Sequence, residues 1–206
     1  MATGLLVSTF VSLFVVVDPI GTSAVFAAVT DHMSEGERRQ IALRAVTTAV
    51  LLLVFFNFAG QALLNYMHVS LPAFRVAGGL LLFVTAFRMI MGFHDPDQLH
   101  SEKSAYKDRS NVAIFPLAIP LLAGPGVMTA SLMFSTEAQG ALQHSMVVFS
   151  IIIVQVLALL SMWGAAKLDR IFGPSGKGII ARVMGVLLAA MAVQFVSDGI
   201  KILIQQ

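Results

Sequence analysis

Apolar residues run along this chain in long stretches, and polar residues collect between them. Six stretches are free or nearly free of charge: 5–29, 42–66, 72–92, 112–134, 146–166 and 179–204. Each is about 20 residues or longer, the length of helix that crosses roughly 30 Å of hydrocarbon. The runs are too long for barrel strands of about ten residues, and they lack the period-2 alternation of such strands. They predict an all-α membrane protein with six transmembrane helices in a single domain, 1–206. The polar segments 31–39, 94–111 and 167–177 read as charged loops, whereas 68–70 and 137–144 carry no Lys or Arg.

Composition strengthens the membrane reading. Of 206 residues, 57% are hydrophobic and only 12% charged, with a mean hydropathy of +0.86. A soluble domain of this size needs far more charge on its large surface. The formal charge of +2 is too small to imply nucleic acid as a partner, and with no cysteine there is no disulfide framework or thiolate site. The lipid bilayer is the expected surrounding. The start of the chain, apolar from Met1 to Val17 with no basic residue before it, reads as a retained first span rather than a cleaved signal.

The few cations set an orientation. Arg38, Arg39, Arg44, Arg88, Lys103, Lys107, Arg109, Lys167, Arg170, Lys177 and Arg182 flank the three charged loops; Arg75 and Lys201 alone flank the other side. The positive-inside bias therefore predicts a multi-pass protein of the cytoplasmic (inner) membrane with both termini on the non-cytoplasmic side.

The chain also resembles itself. At an offset of 106, Pro19 meets Pro125, Ala24 meets Ala130, Thr30 meets Thr136 and Asp31 meets Glu137. At 107, Arg75-Val76-Ala77-Gly78 lies on Arg182-Val183-Met184-Gly185, and at 104 Gly60, Ala62 and Leu64 lie on Gly164, Ala166 and Leu168. Two three-helix repeats are expected, 1–93 and 112–206, joined by a cytoplasmic linker 94–111. Because three is odd, the second repeat enters the membrane from the opposite face. Such inverted repeats recur in secondary transporters, where two similar halves rock about one site.

Candidate chemistry sits where the first and fourth helices are interrupted, near mid-membrane. Val17-Asp18-Pro19-Ile20-Gly21-Thr22-Ser23 breaks one, and Pro120-Leu121-Leu122-Ala123-Gly124-Pro125-Gly126 the other. Proline removes a backbone donor and clashes with the preceding turn, while Asp18 and Gly124 suit the N-cap before a proline at the first helical position. A restarted helix offers N–H groups to a carboxylate; the helix that ends offers C=O groups to an ammonium or cation. The expected ligand is a small zwitterionic amino acid. Candidate binding residues are Asp18, Pro19, Gly21, Thr22, Ser23, Gly124, Pro125, Gly126 and Thr129. Asn57, Thr85, Pro120 and Gln194 are candidate pathway residues, as are Gln155, Ser161 and Asp198; each also suits the plainer task of joining helices by a hydrogen bond. Asp18 likewise reads equally as a simple cap, and the prolines as structural kinks.

Motifs for catalysis are missing. The sequence holds no Walker loop, His-Glu-x-x-His or Gly-x-Ser-x-Gly, and its five histidines lack metal-ligand spacing, so no enzyme, metal site or bound cofactor is expected. H+, through Asp18, or Na+, through backbone carbonyls, remain open as coupling ions. A narrow channel for ions or a small solute, or a membrane scaffold, are the alternative functions.

Asp18-Pro19-Ile20-Gly21 and Pro116-Leu117-Ala118-Ile119-Pro120-Leu121-Leu122-Ala123-Gly124-Pro125-Gly126 resemble the motifs of the MarC family of bacterial and archaeal inner-membrane proteins. The resemblance covers essentially the whole chain, including Arg182-Val183-Met184-Gly185 and Gln194 with Asp198-Gly199. Members called SnatA are neutral amino acid transporters, so the resemblance implies transport of small neutral amino acids of the glycine and alanine type.

Overall fold

A computed structural model describes residues 2–31, 33–92 and 113–205; the expected linker 94–111 lies outside the described residues. All elements among the described residues are helical. They are α1 (Ala2–Val17), α2 (Pro19–Val29), α3 (Glu35–Tyr66), α4 (Leu71–Met91), a π-helical segment π1 (Ala113–Leu122), α5 (Pro125–Glu137), α6 (Gly140–Trp163) and α7 (Ala165–Ile204). Five stretches among them are long and apolar enough to cross a membrane: Gly4–Val29, Glu35–Tyr66, Leu71–Met91, Gly140–Trp163 and Gly178–Ile204. The remaining apolar stretch is divided between π1 and α5. Neither half spans by itself, since the 13 residues of α5 rise only about 20 Å.

One expected loop is absent. Residues 167–177 are part of α7, which runs unbroken from Ala165, with Gly164 alone separating it from α6. The charges that suggested a loop belong instead to a helix. Charge excludes a stretch from hydrocarbon, and it does not exclude it from a helix, since Lys and Arg are good helix formers.

Helix starts follow local chemistry. Ser34 caps α3 in a capping box with Glu37, whose Oε2 accepts from Ser34 N at 3.0 Å. Ser70 caps α4, accepting from Ala73 N at 3.3 Å, with Pro72 in the first turn. The π geometry of the fourth stretch also has a source in sequence. Pro116 and Pro120 lack N–H donors and so interrupt an ordinary four-residue ladder, and the wider five-residue spacing is seen where Ala123 N donates to Ala118 O at 2.8 Å.

Packing is helix against helix, with lipid as the outer solvent. The inner stripe of α3 includes Ala42, Ala45, Ala49, Leu53, Asn57, Gly60 and Leu64, all buried at three- or four-residue spacing. Leu51, Phe55 and Phe58 on its opposite side are exposed and equally apolar, as a lipid-facing surface requires. Small residues on the buried stripe let backbones approach closely. In this bundle α3 packs on π1, α5 and α6; α6 packs also on α1 and α2; α5 packs also on α1 and α4; and α2 meets π1 and α7.

The most extensive contact joins α4 to α7. The two run antiparallel, since Gly199 lies against Pro72 and Val76, Gly79 against Ala192, and Gly185 against Ala86. A Cβ added to Gly79 would stand 2.8 Å from Val196 Cγ2, 2.9 Å from Ala192 O and 3.1 Å from Phe195 Cβ. One added to Gly185 would stand 3.0 Å from Ile90 Cγ1, 3.2 Å from Ala86 O and 3.0 Å from Met89 Cβ. Every residue of the first set has its counterpart in the second 106 positions away. The register differs by one from the 107 that superposes the two Arg-Val strings, so Gly185 corresponds in packing to Gly79 and not to Gly78. Gly78 faces a different helix: a Cβ there would overlap Thr129 of α5.

Candidate functional site

Asp18 is the single residue between α1 and α2. Its backbone is left-handed, φ 43 and ψ 74, a conformation that Asp and Asn tolerate better than other side chains do. Helical bonding continues around it: Asp18 N donates to Phe14 O at 3.0 Å, and Thr22 N donates to Asp18 O at 2.9 Å. The carboxylate caps α2 through Oδ1, which accepts from Gly21 N at 3.1 Å. Gly21 is required there because a Cβ would overlap Asp18 Oδ2. The Asp-Pro-Ile-Gly string is therefore one capping unit: an acceptor, a donor-free first position, and space for the carboxylate at the third.

Carbonyls near this interruption are already engaged. Thr22 Oγ1 donates to Val17 O at 2.9 Å and Ser23 Oγ donates to Ile20 O at 2.7 Å. With their hydrogens committed, the two hydroxyls can offer a ligand only lone pairs. Val17, Asp18, Pro19, Thr22 and Ser23 are all buried. This side is rich in acceptors.

The second interruption has the opposite character. Ala123 and Gly124 separate π1 from α5, and Gly124 provides no side-chain cap. Pro125 has no N–H, and Met128 N donates to Gly124 O at 3.0 Å, so the Gly126 and Val127 N–H groups of the first turn stand at a helix start with no side-chain cap. Thr129 Oγ1 donates to Pro125 O at 2.8 Å. Gly126 is closed in by Leu82 of α4, where any Cβ would overlap. Gly124, Gly126 and Thr129 are buried, while Pro125 is exposed. This side presents donors and the positive end of a helix dipole.

The two interrupted segments pack crosswise, α1 on α5 and α2 on π1. Pro19, Gly21, Thr22 and Ser23 lie on α2, which meets π1, whereas Pro125, Gly126 and Thr129 lie on α5, which meets α1; the packing brings the two segments together, and α2 and α5 share no extensive contact. Pro120 lies in π1, before the second interruption. Asn57, on the inner stripe of α3, ties that helix to α5: its Nδ2 donates to Ser131 O at 3.3 Å, and Ser135 Oγ donates to Asn57 O at 3.1 Å. Thr85 and Gln194 are not brought to the interruptions. Both are exposed on the outside of the bundle, Thr85 donating to Leu81 O of its own helix and Gln194 to Asp198 Oδ1.

Gln155 of α6 is the residue that sequence reasoning underweighted. It is 1% exposed, and its Nε2 donates to Leu122 O at 2.9 Å, the last carbonyl of π1. Its Oε1 has no hydrogen-bond partner, and neither has Asn57 Oδ1. The available signal was an amide in the middle of the apolar run of α6. Among the described residues no group of three His, Cys, Asp or Glu is placed to hold a metal ion.

Comparison with known proteins gives a concordant result over the whole length. The chain matches the MarC family, described as integral membrane proteins, over residues 3–204. A UPF0056 membrane protein of Archaeoglobus fulgidus is 34% identical over 94% of this chain and 91% of its own. The UPF0056 membrane protein YhcE of Escherichia coli is 33% identical over 93% of this chain and 90% of its own, and YvbG of Bacillus subtilis 29% over 98% and 96%. No solved structure matches the chain.

Proposed function

This chain belongs to the MarC family of integral membrane proteins, and from that membership we propose that it is a secondary transporter of small neutral amino acids, of the glycine and alanine type. Substrate binds where α1–α2 and π1–α5 are interrupted, and the two halves alternate access to it. The observation that carries this reading is the complementarity of the interruptions: acceptors cluster about Asp18, donors stand at the start of α5, and the two segments pack on one another. A zwitterion needs both.

The pattern of neighbours supports an inverted repeat. Exchanging α1 with π1, α2 with α5, α3 with α6 and α4 with α7 turns the α1–α6 contact into π1–α3, α2–α6 into α5–α3, and α4–α5 into α7–α2, all of which occur. The reciprocal neighbours of Gly79 and Gly185 in the antiparallel α4–α7 pair support the same exchange. Two similar halves give outward- and inward-open states of similar energy, so a modest gradient can drive the cycle. We further propose the inner membrane, with both termini outside the cytoplasm, on the asymmetry of Lys and Arg. Binding demands no bound cofactor; H+ or Na+ serves as coupling ion.

Saturable uptake of labelled glycine or alanine into liposomes holding the purified protein tests the reading. Flux that rises linearly with concentration and is not stimulated by substrate on the far side contradicts a carrier and favours a channel. Transport-inactive protein that co-purifies with a stable partner favours a scaffold.

A further inference from the structure

Buried amide oxygens are nearly always hydrogen-bonded, because leaving one bare costs about 1–3 kcal/mol. Gln155 breaks that rule at the second interruption. Its side chain is held by one bond, Nε2 to Leu122 O at 2.9 Å, and the other end of the same amide, Oε1, has no donor while the residue is 1% exposed. A few residues along, α5 starts with no side-chain cap from Gly124, and the Gly126 and Val127 N–H groups of its first turn belong to buried residues. An unpartnered acceptor thus belongs to the side chain bound at the last residue of π1, and three residues on from that residue α5 opens with no side-chain cap among the described residues.

An occupant that satisfies both must carry a hydrogen-bond donor next to an acceptor. An α-amino acid carries them two bonds apart, as ammonium and carboxylate. We infer that Gln155 is a specificity-determining residue of the substrate site, accepting a hydrogen bond from the substrate ammonium at Oε1 while the Gly126 and Val127 N–H groups hold the substrate carboxylate. This assignment rests on the amino acid reading above and adds to it a residue and an order of groups. The bond to Leu122 O fixes the orientation of the amide, so that its oxygen and not its nitrogen is presented. A site that offers a buried acceptor to a substrate N–H rejects analogues lacking that N–H far more strongly than one defined by apolar shape, since the acceptor is left bare again.

The experiment measures binding apart from transport. Full-length protein in detergent micelles is unfolded thermally against rising concentrations of glycine, alanine, propionate, in which a methyl replaces the ammonium, and glycine methyl ester, because a ligand that binds only the folded state raises the unfolding temperature. Glycine and alanine are expected to stabilise, and propionate and the methyl ester each to bind about tenfold or more weakly. Gln155→Met, close in volume, and Gln155→Glu, which keeps oxygen but loses the N–H donor to Leu122 O, are compared with the parent. The Met variant is expected to lose about tenfold or more in glycine affinity. Glycine binding within twofold of the parent in the Met variant overturns the inference, as does propionate or the methyl ester binding as tightly as glycine, the result expected if ordered water alone fills the gap. If neither variant folds, the analogue comparison on the parent decides. Glycine flux through the parent together with an unaffected Met variant defeats this inference and leaves the transporter reading standing; the absence of both flux and binding defeats the two together.

Discussion

Gly79→Ala tests the α4–α7 contact, and the structure sets its size. The new Cβ would stand 2.8 Å from Val196 Cγ2 and 2.9 Å from Ala192 O. Carbon atoms settle at about 3.5–4.0 Å, so α7 must retreat by roughly half an ångström or more. Val196 can turn away, but a backbone carbonyl of a packed helix cannot. Overpacking of this kind costs about 1–3 kcal/mol, against which alanine recovers about 1 kcal/mol of helix propensity. The expected net loss is about 0–2 kcal/mol, or up to roughly 8 °C in unfolding temperature for a chain of this length, and relative to an unhindered Gly→Ala change it is the full cost of about 1–3 kcal/mol. Gly185→Ala meets atoms no closer than 3.0 Å and should cost less. Gly36→Ala supplies the control: it lies on α3 with nothing within 4 Å, and should be neutral or stabilising. The Gly79→Ala, Gly185→Ala double variant should cost less than the two singles added, because a separation made once accommodates both. Thermal unfolding in detergent, followed by helicity, reads all four. Gly79→Ala gaining as much stability as Gly36→Ala would refute the packing described for α4 and α7.

Other consequences follow from the first interruption. Gly21→Ala should displace the Asp18 carboxylate from Gly21 N and cost about 0.5–2 kcal/mol in unfolding free energy; in an Asp18→Gly background the same change should cost little, and an equal cost in both backgrounds would show that the cap is not the reason for the glycine. Asp18→Asn keeps a capping oxygen and a residue that tolerates positive φ, so folded yield should hold while the pH dependence of amino acid flux flattens; an unchanged pH profile removes Asp18 as the coupling group.

Much of this architecture is legible in the sequence because bilayer and backbone chemistry are blunt. Five apolar runs emerge as helices long enough to span, and Asp18-Pro19 and Gly124-Pro125 stand at helix starts as capping chemistry requires. What sequence does not carry is direction around a helix. Thr85 and Gln194 lie outside the bundle and Gln155 inside, although all three are polar residues in apolar runs, because in lipid both faces are apolar and hydrophobic periodicity no longer distinguishes them. Hydroxyl partners are equally hidden. Thr22 and Ser23 look like ligand donors in the sequence, yet they donate to carbonyls of their own segment, since an interrupted helix must satisfy its backbone first. The drift from offset 107 to 106 between the third and last helices has a similar cause: Arg-Val strings align by identity, whereas close backbone approach is set by Gly79 and Gly185.

Counterflow tests the central claim most directly. Liposomes containing the protein, loaded with unlabelled glycine and diluted into a trace of labelled glycine, should accumulate label transiently above protein-free liposomes, because in a carrier the outward flow of unlabelled glycine drives labelled glycine inward. Alanine inside should substitute for glycine. No accumulation above protein-free liposomes, across a panel of neutral amino acids, would contradict the account.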